Sequence, residues 1–149
     1  MKWRLLSIGK WGNLGEKELF AVYAKRCRPA LLLQEISLKS AKEEQAKAGE
    51  GKLILSALKE GELVVALDEH GKEITSLDFA QEMARWRSSG RDVAFVIGGA
   101  TGLAPEVVKK ADFVLSLSKL TLPHLMARVV LAEQLYRAEC ILQHHPYHK

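Results

Sequence analysis

An α/β fold, with a mainly parallel sheet and helices on both faces, is what the amino-acid sequence predicts, and three observations predict it. Short segments rich in Val, Ile and Leu alternate with amphipathic ones, the pattern of successive βαβ units. One apolar run, Val93-Ala94-Phe95-Val96-Ile97, passes directly into a glycine-rich loop and then a stretch led by Pro105, the order strand, turn, helix. The chain has 149 residues, 48% hydrophobic and 27% charged, enough to bury one core and too short for a second unit, so residues 1–149 read as a single domain.

The strands expected are residues 3–8, 31–38, 63–67, 93–97 and 113–117. A first helix carries Leu19, Tyr23 and Cys27 on one face and is stopped by Pro29, because the residue before a proline is pushed out of the α region. A second, over residues 41–59, has helix-forming composition but is interrupted by Gly49 and Gly51, where a fray or break is expected. The third opens on Thr75-Ser76-Leu77-Asp78, a capping arrangement, and runs through Phe79, Met83 and Trp86 to Gly90. A short fourth spans Pro105 to about Ala111. The last begins after Pro123 with Ser118 or Thr121 near its cap. It carries one apolar row of Leu125, Val129, Ala132 and Tyr136 and another of Met126, Val130 and Leu135. So wide a stripe points to burial on two sides and hence to a homodimer interface.

The composition also narrows the setting. No apolar run approaches the ~18 residues of a bilayer span, so no membrane partner is expected. The N-terminus lacks the apolar length and cleavage site of a secretory signal and reads as a strand. Two cysteines on apolar helical faces fit a cytoplasmic protein with free thiols. A net charge of +4 and a pI near 9.1 permit a polyanionic partner without requiring one.

Three segments carry candidate chemistry. Gly98-Gly99-Ala100-Thr101-Gly102 lets backbone approach a ligand closely, yet it is neither G-x-G-x-x-G nor a P-loop, and alone it reads equally as a structural turn. Leu115 to His124 brings hydroxyls and a proline between a strand and a helix, and alone it is an elaborate helix start. Four of the five histidines, His124, His144, His145 and His148, fall near the end beside Tyr147 and Lys149. A zinc site there lacks the Cys or carboxylate that would complete it, so no metal is expected. The other fate of such an end is a solvated tail, against which Pro146 and Tyr147 weigh.

Together, Ile97-Gly98-Gly99-Ala100-Thr101-Gly102-Leu103, Leu115-Ser116-Leu117-Ser118-Lys119-Leu120-Thr121-Leu122-Pro123-His124, the helix Arg128 to Ala138 and the ending His145-Pro146-Tyr147-His148-Lys149 resemble the ribosomal RNA large subunit methyltransferase H family, over essentially the whole chain. The resemblance implies a SPOUT methyltransferase whose C-terminal segment forms a deep trefoil knot. It implies S-adenosylmethionine as cofactor, held by Leu67, Gly98, Leu117, Ser118, Lys119, Leu120, Thr121 and Leu122. The implied reaction is methylation of N3 of a pseudouridine in helix 69 of 23S rRNA in the assembled ribosome. Tyr147, His148 and Arg137 would be its catalytic groups, and Arg128 and Lys149 would contact RNA. The chain departs from the family pattern in ending on Lys149 where others have arginine, and in His144 where asparagine can occur; a lysine loses the bidentate fork. A different RNA such as tRNA, or a non-catalytic RNA-binding domain on the same fold, are the competing readings. A non-catalytic domain has little reason to keep both the glycine loop and the Tyr-His tail.

Overall fold

The computed structural model describes residues 1–38 and 43–149. Among them, five strands form one sheet: β1 (Trp3–Ile8), β2 (Leu31–Ile36), β3 (Leu63–Glu73), β4 (Val93–Ile97) and β5 (Phe113–Ser116), in the order β2-β1-β4-β3-β5. Every pairing is parallel. Side chains that alternate along each strand feed two cores. Leu5, Val65, Leu67, Phe95 and Leu115 face α1 (Glu16–Arg26), α3 (Ser76–Ser88) and α5 (His124–Leu142). Leu6, Ile8, Val64, Ala66 and Val96 face α2 (Glu43–Ala57) and α4 (Pro105–Lys110). The sheet is thus covered on both faces, as the near-continuous apolar strands require.

Several elements differ from expectation in instructive ways. The buried face of α1 is Phe20 and Ala24 with Cys27 at its end, while Leu19 points to solvent. The second helix runs unbroken through Gly49 and Gly51; its expected start near Ala41 lies outside the described residues. A Cβ at Gly51 would stand 2.7 Å from the Cβ of Ala104, so this glycine lets α2 and the start of α4 touch. α3 is capped as its sequence suggests, the Thr75 hydroxyl accepting from the Asp78 N–H at 3.1 Å. α5 has no side-chain cap, and Pro123 occupies that position.

The largest surprise is β3, which extends six residues past Leu67. Its register on β5 jumps between Leu67 and Lys72, so residues 68–71 bulge out of the ladder before pairing resumes. The breadth of the α5 stripe is largely consumed within the chain, since α5 packs between α1 and α3 and buries Val129, Leu131, Ala132, Leu135 and Ala138. Met126 remains exposed on it, as do Leu19 and Val22 on α1.

Candidate active site

Beyond Leu67 of β3, Ile97 of β4 and Ser116 of β5 lies a cavity of about 320 Å³. It occupies the carboxyl ends of parallel strands, where ligands of open α/β sheets bind. Seven of the eight sequence-designated cofactor residues line it: Leu67, Gly98, Leu117, Ser118, Leu120, Thr121 and Leu122. Lys119, which is exposed, does not.

The loop hydroxyls shape the wall. Ser116 Oγ donates to the Ser118 carbonyl at 3.0 Å, and Ser118 Oγ accepts from the Leu120 N–H at 2.9 Å, so these serines fold the loop instead of capping α5. Thr121 Oγ1 donates to Glu69 at 3.2 Å, tying the loop after β5 to the bulge of β3. The opposite wall is residues 97–103. There a Cβ on Gly98 would lie 2.6 Å from the carbonyl carbon and oxygen of Gly102, so Gly98 is required first by the loop's own tight closure. A side chain at that position collides with backbone before it reaches ligand space.

Lys47, Glu69 and His70, which the sequence did not single out, also line the cavity, together with Asp68 and with His124 from the group of late histidines. A polar run, Asp68-Glu69-His70-Gly71, straight after a buried strand is the signal that marks the bulge. Asp68 accepts from the His70 N–H at 2.8 Å, the turn that starts it. His124 rests its ring against Gly9 at the end of β1. Burial, and then the guanidinium of Arg128, pull its pKa below the ordinary histidine value, so it is neutral at neutral pH.

Arg128 is not on the surface. Its side chain is 0% exposed. Nε donates to Ser7 Oγ at 2.7 Å, Nη1 to Glu35 at 3.1 Å, and Nη2 to the carbonyls of Ile8 and Gly9 at 3.2 and 3.0 Å, with Trp11 stacked 4.4 Å away. The expectation that it meets RNA is therefore corrected: it ties α5 to the end of β1 and leaves no face for phosphate.

The third group, Arg137, Tyr147 and His148, gathers at the far end of α5. Arg137 lies 13 residues beyond His124, about 20 Å along the helix at 1.5 Å per residue. Tyr147 OH donates to Glu133 Oε1 at 2.9 Å and its ring packs on Tyr136 at 4.7 Å. His148 Nδ1 lies 3.1 Å from Arg137 Nη1. The tail is thus ordered against its own helix and does not enter its own chain's cavity. Lys149, the last residue, is exposed.

A parallel sheet with a ligand cavity walled by the loops after β4 and β5 defines a class, and the comparisons name it: residues 1–148 match the family model described as "Predicted SPOUT methyltransferase". The chain is 45% identical to "Ribosomal RNA large subunit methyltransferase H" of Paramagnetospirillum magneticum, covering 100% of this chain and 99% of that one. It is 47% identical to the protein of the same name from Herminiimonas arsenicoxydans, with 87% of each covered. This chain belongs to the ribosomal RNA large subunit methyltransferase H family of SPOUT methyltransferases. Its fold is shared with a probable methylase family protein from Haemophilus influenzae, at TM-score 0.61 and 18% identity over 98% of this chain and 70% of that one. It is shared also with the SpoU methyltransferase AviRb of Streptomyces viridochromogenes, solved with AdoMet, at TM-score 0.51 and 14% identity over 94% of this chain and 61% of that one.

Proposed function

We propose that this protein transfers a methyl group from S-adenosylmethionine to N3 of a pseudouridine in helix 69 of 23S rRNA, on the assembled ribosome in the cytoplasm. The observation that carries the reading is the convergence of Leu67, Gly98, Leu117, Ser118, Leu120, Thr121 and Leu122 on one cavity in a chain of this family. The residues suit the cofactor. The cavity is of small-ligand size, at the lower end of the ~300–1,000 Å³ range. Its apolar lining and loop backbone accommodate a nucleoside, the carboxylates of Asp68 and Glu69 complement a cation, and Lys47 complements a carboxylate. When bound, the cofactor supplies a methyl carbon on sulfonium, whose C–S electron pair stays with sulfur as the N–C bond forms.

The protein must then align the base with that carbon and ease loss of the N3 proton. Arg137, Tyr147 and His148 are the groups for this, and they lie too far along α5 to serve their own chain's cavity. Residues 143–149 reach at most ~25 Å from Leu142 when extended. A homodimer built on α5 and its exposed neighbours answers both facts, each tail serving the partner's knotted cofactor loops. Within residues 1–149, read as a single domain, specificity rests on substrate shape. Mass spectrometry of rRNA from cells lacking the protein tests the reading: loss of one methyl from the helix 69 pseudouridine is expected. Unchanged rRNA with a methyl missing from tRNA would overturn the substrate.

A further inference from the structure

Glu133 joins the Tyr147 and Arg137 side chains. Its Oε1 accepts from Tyr147 OH at 2.9 Å and from Arg137 through Nε at 2.9 Å and Nη2 at 2.7 Å. Its Oε2 accepts from Gln134 Nε2 at 2.7 Å, and Gln134 Oε1 in turn accepts from the Ser76 hydroxyl on α3 at 2.7 Å. With two of its three nitrogens on one carboxylate oxygen, the Arg137 guanidinium has a set orientation that leaves Nη1 facing His148 Nδ1 at 3.1 Å. Arginine carries donors only, so Nδ1 must accept and the proton of a neutral imidazole must sit on Nε2. The outward edge of His148 is then an N–H donor, with no lone pair to take a proton. Tyr147 is no better a base, because its phenol proton is committed to Glu133.

We propose that His148 donates its Nε2–H to a carbonyl oxygen of the target pyrimidine, and that Glu133 is the positioning residue that keeps it a donor by orienting Arg137. This rests on the methyltransferase reading above. The hydrogen bond stabilises the negative charge that spreads onto the carbonyl as the N3–H bond breaks. The N3 electron pair is left to form the bond to carbon, and the proton passes to water. The charged and titratable groups facing the tail are Glu133, Arg137 and Tyr136 on α5, Tyr23 and Arg26 on α1, and His145 within the tail.

Two measurements test this independently. In the whole protein labelled with 15N-histidine, the His148 signals, assigned by their loss in His148→Gln, should report the Nε2-protonated tautomer. In Glu133→Gln that preference should weaken; a Nδ1-protonated ring in the wild type would overturn the proposal whether or not the protein methylates RNA. In methyl transfer to ribosomes, His148→Gln keeps an amide donor in place of Nε2–H and has no basic nitrogen. It should retain the rate to within about tenfold of wild type, whereas a general base would cost about 10²–10⁴-fold. A loss of that size in His148→Gln, as deep as in His148→Ala, would overturn the donor role. Glu133→Gln should lower kcat by about 10²-fold, the scale of a misplaced reacting group, with cofactor affinity and Tm unchanged. Unchanged kcat would overturn the positioning role. A wild-type protein inactive on every RNA would refute the methyltransferase reading and leave the tautomer result standing.

Discussion

At the scale of single residues, Arg128 shows how far a side chain's role depends on neighbours that sequence spacing does not display. On the helix Arg128 to Ala138 it reads as a cation ready for phosphate, yet its partners Ser7, Ile8, Gly9 and Glu35 come from elements more than ninety positions away. Arg128→Ala would strand a buried hydroxyl, two carbonyls and part of a carboxylate beside a void. The expected cost is about 3 kcal/mol of stability, read as a lower urea midpoint. A variant that kept its midpoint and lost only RNA affinity would restore the surface reading. Cys27 offers a second check. Burial, and secondarily the Glu139 carboxylate, push its thiol up to about 12, so the native protein at pH 8 should leave it unalkylated. Because the folded value lies above the unfolded one, the neutral thiol contributes stability below about pH 9 that is lost as pH rises toward 12. Rapid labelling of Cys27 at pH 8 in the folded state would contradict its burial. The residues that line the cavity were legible because a glycine loop and a hydroxyl-rich strand exit are local patterns. Arg128 was not, because its hydrogen-bond hub is defined by distant segments, and Glu133 was not, because Tyr147 meets it only once the tail folds back on α5.

At the scale of elements, the strands and helices were legible from apolar periodicity, and the failures fall where packing overrides propensity. Gly49 and Gly51 carry a helix penalty of about 1 kcal/mol each, yet α2 continues, because contact of Gly51 with Ala104 closes the second core. The bulge of β3 is the failure with functional weight. Residues 68–71 hold no alternating apolar pattern, so the strand reads as ending at Leu67. The structure resumes it because Gly71 lies against the β5 backbone, where a Cβ would stand 2.8 Å from the Val114 carbonyl oxygen and from the carbonyl carbon of Leu115. Backbone on both sides cannot yield as a flexible side chain would. Gly71→Ala should therefore separate β3 from β5 locally and displace Asp68 and Glu69 from the cavity wall. The expected outcome is cofactor affinity weakened by at least tenfold with a lowered Tm; calorimetry giving wild-type affinity would show that the bulge does not position the site.

At the scale of the whole molecule, the separation of cavity and tail along α5 leads to the last prediction. His124 lines the cavity at the start of the helix, and Arg137, Tyr147 and His148 cluster near its end, so the cavity and the tail do not meet within one chain. In the proposed homodimer, a two-fold axis that brings each tail to the partner's cavity would make two identical complete sites. Complementation between two inactive proteins separates this from a self-contained site. One carries Thr101→Trp, which adds bulk at an exposed position of the cavity wall without disturbing the Gly98 closure. The other carries Tyr147→Ala with His148→Ala. After subunit exchange in equal amounts, half the dimers are mixed, and in each of these one site unites an intact cavity with an intact tail. Activity should therefore recover to about a quarter of the wild-type level. It should fall with added salt as phosphate contacts release counterions. Mixed dimers verified by mass spectrometry that remain inactive would mean that each chain completes its own site, and the tail would then have to swing away from Glu133 to reach the cavity of the same chain.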